Sequence, residues 1–143
     1  GRSTLTEHFF TRSAYEKHGF RHFPVAFGSD NVAWLEFPEM GKILSINDAK
    51  AFIRISAEHL SSRDEGNLTF CRREGIYLFN RYIIQKYGIY FSKAEQFLIL
   101  KKAYRNLTSS TTNKLKSLNF IFFMTKYISP LKVFQIIREN RYR

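Results

Sequence analysis

The pattern Ser-x-x-Glu occurs twice in the second half of this chain, at Ser62-Arg63-Asp64-Glu65 and Ser92-Lys93-Ala94-Glu95, each time ahead of apolar residues at helical spacing. A serine that accepts from the amide three residues on, with a glutamate returning the bond, satisfies two otherwise free donors at a helix start. The first box predicts a helix carrying Leu68, Cys71, Ile76, Phe79, Ile83 and Tyr87 and stopped by Gly88. The second predicts one carrying Phe97, Leu98, Leu100, Ala103, Tyr104 and Leu107. A third helix is expected from about Asn113 to Ile128, and a fourth after Pro130, whose fixed dihedral suits a first helical turn.

The first half has a different pattern. A short helix is expected around Thr11 to Lys17, then a loop, then a second short helix over Asn31 to Phe37 closed by Pro38 and Gly41. From Lys42 to Ser56 the pattern reads as two strand-like runs separated by Asn47-Asp48. The expected fold class is therefore α+β, with a short mixed α/β part over residues 1–62 and a predominantly helical bundle over 63–143. With 143 residues, 44% of them hydrophobic, the chain has ample material for a packed core.

Charge divides at the same place. Residues 1–63 hold eight Lys or Arg against seven Asp or Glu, whereas residues 64–143 hold fifteen against five, so almost all of the net charge of +11 belongs to the helical half. The single cysteine, Cys71, cannot form an intramolecular disulfide and reads as a small apolar residue on a helix. No run approaches the 18 or so consecutive apolar residues of a membrane span, and the N-terminus lacks the form of a signal peptide.

Asp30 is the candidate catalytic residue. Gly28 and Ser29 break the preceding apolar run, so Ser29 or Asp30 serves as N-cap of the short helix. A carboxylate at a helix start is held ionised, ready to accept a proton from an alcohol within reach. The stretch from Phe9 to Trp34, with Phe9, Phe10, Arg12, Tyr15, Lys17 and Gly19-Phe20 ahead of Gly28-Ser29-Asp30, resembles the second half of a family 2 glycosyltransferase catalytic domain, with His18 in place of one of the paired glycines. Arg54, Ser56, Ala57, His59 and Ser61 approximate a further segment of that family, with Ala57 and His59 departing from its Gly and Asn.

What the resemblance implies is a GT-A type domain that moves a sugar from a nucleotide-sugar donor to a saccharide or lipid-linked acceptor by direct displacement, with Asp30 as general base. Residues 1–62 would be the acceptor-side, C-terminal part of that domain. Ser29, Asn31, Trp34, Arg54, Ser56 and His59 would then contact substrate, Trp34 by stacking on an acceptor sugar and Arg54 by neutralising a leaving diphosphate. The family's metal-binding Asp-x-Asp is not among the 12 acidic residues, so Mg or Mn is expected only in a full-length enzyme and none in this piece, which alone should not turn over. Each site residue also has a structural reading: Asp30 as a cap, Trp34 as core, Asn31 as a solvated first-turn residue, Arg54 as a surface partner of Glu58.

Other constellations are weaker. His18 and His22 have a helical spacing, but Gly19 and Pro24 argue against a helix between them, and no metal site is expected. The run LNFIFFM from Leu118 to Met124, flanked by Lys114, Lys116 and Lys126, is read as core, with the bilayer surface as the sharper alternative. The second function class is a basic helical binding module for nucleic acid or an anionic membrane surface, with Tyr82, Tyr87 and Tyr104 interleaved among the cations. No nucleic-acid motif accompanies them, which counts against nucleic acid, and a peripheral membrane contact is the other partner kept open. A cytoplasmic location, or the inner face of the membrane, is expected.

Overall fold

The computed structural model describes residues 8–39, 41–44, 48, 50, 52, 66–111 and 113–141. Among them there are helices and turns but no strand: α1 (Arg12–His18), α2 (Ser29–Glu36), α3 (Gly66–Tyr87), α4 (Lys93–Ser110), α5 (Lys114–Thr125) and α6 (Pro130–Arg141), with single 3-10 turns at Pro24–Ala26 and Gly88–Tyr90. Over the described residues the expected α+β class is corrected to all-α. Of the two strand-like runs only residues 42–44, 48, 50 and 52 are described, and none lies in a strand. Ile43, Leu44 and Phe52 stand exposed, so among the described residues of these runs no sheet face buries them.

Local chemistry sets the helix ends. Thr11 caps α1 by accepting from the Ala14 amide at 3.2 Å, and Gly19 leaves it at a φ of 57°. The cap of α2 is neither Ser29 nor Asp30 but Gly28, at a φ of 96° that only glycine adopts without strain. The expected capping box at the start of α4 is formed in full: Ser92 Oγ accepts from the Glu95 amide and Glu95 Oε2 accepts from the Ser92 amide. Asn113 caps α5 by accepting from the Leu115 and Lys116 amides, and Pro130 opens α6. The earlier box at Ser62–Glu65 lies outside the described residues.

The core sits among α3, α4, α5 and α6. Tyr77 and Ile84 meet Leu100, Ala103, Tyr104 and Leu107 of α4, Phe120 and Met124 of α5, and Val133 and Ile136 of α6. Tyr77 packs edge-on against Phe120 with ring centroids 5.2 Å apart. Gln96, buried among them, donates from Nε2 to the carbonyls of Gly88 and Phe91, which ties the α3–α4 turn to α4.

Helix α3 is used on both sides. Gly75, Phe79, Tyr82 and Lys86 fall on the face opposite Tyr77 and Ile84 and take the N-terminal elements. Gly75 allows the 3-10 turn to approach so closely that an added Cβ would lie 3.0 Å from the Pro24 carbonyl oxygen and from Phe27 Cβ. Among the described residues no helix is long and apolar enough to cross a membrane.

Candidate anion-binding groove

Four of the sequence-predicted site residues share helix α2. Asp30 is half-buried, and its Oδ1 accepts from the Asn31 amide at 2.8 Å, so its carboxylate is folded onto the helix's own first turn. Ser29 is buried with its hydroxyl unpartnered among the described residues. Asn31 is exposed. Trp34 is half-buried and stacks on His8, ring centroids 4.4 Å apart, with its indole nitrogen buried and without a partner among the described residues. Arg54, Ser56 and His59 lie outside the described residues.

The polar cluster that the sequence does not announce is centred on Glu36, at the end of α2. Its carboxylate is buried and takes donors from three distant positions: Arg21 at 3.2 and 3.3 Å, Lys86 Nζ at 2.5 Å and the Tyr82 hydroxyl. Burial alone would push the Glu36 carboxyl up, but the bonds from Lys86, Tyr82 and Arg21 outweigh it and hold it at about 2. The Tyr82 hydroxyl is pushed up, first by burial and then by its bond to Glu36, so it stays protonated at neutral pH. An acid ionised at neutral pH beside a protonated phenol is a clamp between α2 and α3 rather than a proton-transfer site.

A recess of about 960 Å³ lies elsewhere, lined by α4 and α6 with Arg73 of α3 at its edge. Ile136 forms an apolar floor and Leu98 an exposed rim. Around them stand five cations, Arg73, Lys101, Lys102, Arg105 and Arg138, against one carboxylate, Glu139. Lys101 Nζ is 2.5 Å from Glu139 Oε2, and Gln135 donates to the other oxygen at 2.8 Å. Those two bonds, Lys101 first, hold the Glu139 carboxyl below the usual range. Arg73 donates to the Ser109 carbonyl at 3.3 Å, which anchors its side chain toward α4. Lys102 and Arg105 are exposed and have no carboxylate partner among the described residues.

Helical spacing places these cations. Lys102 and Arg105 project from α4 on the side away from Leu100, Ala103 and Leu107, and Arg138 projects from α6 away from Val133 and Ile136. The arrangement can hold an anion with several oxygens, since guanidinium groups and ammoniums converge on it and only Lys101 is paired with a lining carboxylate. The uneven division of charge along the chain pointed to this half; which cations share a recess depends on how α4 packs on α6. Among the described residues no three carboxylate, imidazole or thiol groups gather into a metal site.

No family model matches the chain, and no solved structure matches it. A curated protein similar to it is the molybdenum cofactor sulfurase of Drosophila willistoni, 27% identical over 106 residues, which take in 69% of this chain and 13% of the sulfurase. The chain thus corresponds to a small part of that protein's length. The resemblance to family 2 glycosyltransferases is overturned: a GT-A part needs mixed α/β structure, the described residues are helical, and the similar protein is a different enzyme.

Proposed function

We propose that this chain is a basic helical binding module that takes a phosphate-bearing polyanion in the groove between α4 and α6. The observation that carries the reading is the gathering of Arg73, Lys101, Lys102, Arg105 and Arg138 around one recess that holds a single opposing carboxylate. Like-charged side chains converge at a cost in mutual repulsion, which a bound anion relieves. Sugar transfer with Asp30 as base is left without support, since the resemblance that assigned it a role is gone.

Inorganic polyphosphate is a suitable probe, because it offers phosphate charge without bases or acyl chains. Its affinity for the chain is expected to fall log-linearly with salt as bound counterions are released. A Lys102→Glu/Arg105→Glu double variant, altered at two exposed positions of α4, should retain its helical content while losing about tenfold or more in affinity. Salt-independent binding, or equal affinity in the variant, would remove the groove from the proposal.

A further inference from the structure

Helix α5 is apolar on two sides. Phe120 and Met124 enter the core, whereas Leu115, Leu118 and Phe122 remain 65%, 51% and 70% exposed. At about 100° per residue those three fall within roughly 60° of one another, on the side opposite Phe120. Lys114 and Lys126 flank the stripe, while Lys116 is turned toward α3, where its Nζ lies 3.6 Å from Glu74.

The stripe leads to a second basic recess. Thr125 and Lys126, at the C-terminal end of α5, line a cavity of about 460 Å³ together with Lys93, Pro130 and Lys132. No carboxylate lines it. Lys93 is held there by bonds to the Tyr127 carbonyl at 3.0 Å and to Gln96 Oε1 at 3.1 Å, and the Lys132 ammonium lies 5.9 Å from the Phe97 ring centre. Helix α5 ends and α6 begins in the same place, so the partial charges of the two helix ends oppose one another and the lysines supply the positive charge of the recess.

A row of large apolar side chains flanked by ammoniums and ending at a cationic recess is complementary to one kind of surface. Acyl chains accept Leu118 and Phe122, and headgroup phosphates meet Lys114, Lys126 and Lys132. The 12 residues of α5 span about 18 Å, short of the roughly 30 Å of a bilayer's hydrocarbon, so the helix would lie in the interface plane. We infer that the outward face of α5 docks on an anionic lipid bilayer, with the recess at the α5–α6 turn taking a headgroup phosphate. This rests on the reading that the chain binds phosphate-bearing anions, and it names their source. Of the aromatics interleaved among the cations, Tyr104 is buried and the Tyr82 hydroxyl is engaged with Glu36.

The test is co-sedimentation with vesicles of phosphatidylcholine alone and of phosphatidylcholine mixed with phosphatidylserine, run beside polyphosphate binding and size-exclusion chromatography. The chain should partition onto the mixed vesicles and not the neutral ones. A Leu118→Ser/Phe122→Ser variant should lose about tenfold or more of that partition while keeping its melting temperature and its polyphosphate affinity. Polyphosphate binding without vesicle binding, or unchanged partition by the variant, overturns the docking face and leaves the groove standing. A dimer that the double serine variant dissociates, again without vesicle binding, overturns it in favour of a second copy. Failure to bind polyphosphate would instead overturn the anion-binding reading beneath it.

Discussion

Lys86 Nζ lies 2.5 Å from Oε1 of Glu36, a pair joined across 50 positions of sequence. The same oxygen accepts from the Tyr82 hydroxyl, and Arg21 bonds the carboxylate from the other side. One carboxylate with 1% of its side chain exposed thus gathers the loop before the 3-10 turn, the end of α2 and the last turns of α3. Removing the acid would leave Arg21 and Lys86, each nearly half-exposed, without the partner they share.

Acid should therefore loosen the N-terminal elements. Glu36 titrates at about 2 in the folded chain against an ordinary 4.5, so its contribution is complete above pH 4.5 and is lost as pH falls toward 2. That difference corresponds to roughly 3 kcal/mol by linkage. Thermal melts of the wild type and of Glu36→Gln between pH 6 and 2, on the order of one unit per step, are expected to converge as pH falls. The wild type should be the more stable at pH 6. Exposed carboxylates such as Glu39 and Glu95 cancel in the comparison, and two parallel profiles would show that Glu36 is not the clamp.

Gly75 should resist replacement even by alanine. Mid-helix, Gly→Ala ordinarily gains about 1 kcal/mol in propensity. Here the new Cβ would stand 3.0 Å from the Pro24 carbonyl oxygen, a backbone atom in a turn that already holds Val25 and Ala26 at positive φ. Overpacking of this kind costs about 1–3 kcal/mol, so a net loss is expected in urea unfolding of Gly75→Ala. A gain would mean that the 3-10 turn moves freely off α3.

The helical half was legible because its signals are local. Ser92 and Glu95 lie within one turn, Asn113 and Pro130 mark starts, and each acts on backbone groups a few residues away. The face assignments were partly missed. Leu98 precedes Leu100 in the apolar pattern, yet it stands on the exposed side of α4, and α3 buries Tyr77 and Ile84 on one side and Gly75 on another. A helix packed on both sides has no single apolar stripe to read.

The candidate sites were not legible for a related reason. Arg21, Tyr82 and Lys86 reach Glu36 from 15, 46 and 50 positions away, and nothing in the spacing of those residues encodes that meeting. Asp30 drew attention through neighbours at short range, and short range is where its partner proved to be, at the Asn31 amide. Phe120 and Phe122 looked equivalent within LNFIFFM, whereas packing turns the first into the core and leaves the second outside.

Glu139 offers a gain-of-binding test of the groove. It is the one carboxylate lining that recess, and its bond to Lys101 both neutralises a cation and holds the ammonium to one side. Its lowered carboxyl range keeps it ionised at neutral pH, so it opposes any anion that enters. Glu139→Gln retains the length of the side chain, removes the charge and releases Lys101 toward the groove. Polyphosphate affinity should rise by about two- to fivefold, with a steeper salt dependence as one more cation joins the contact. Weaker binding by Glu139→Gln would instead show that Glu139 holds Lys101 in its useful position, and unchanged binding would show that the anion sits beyond the reach of both.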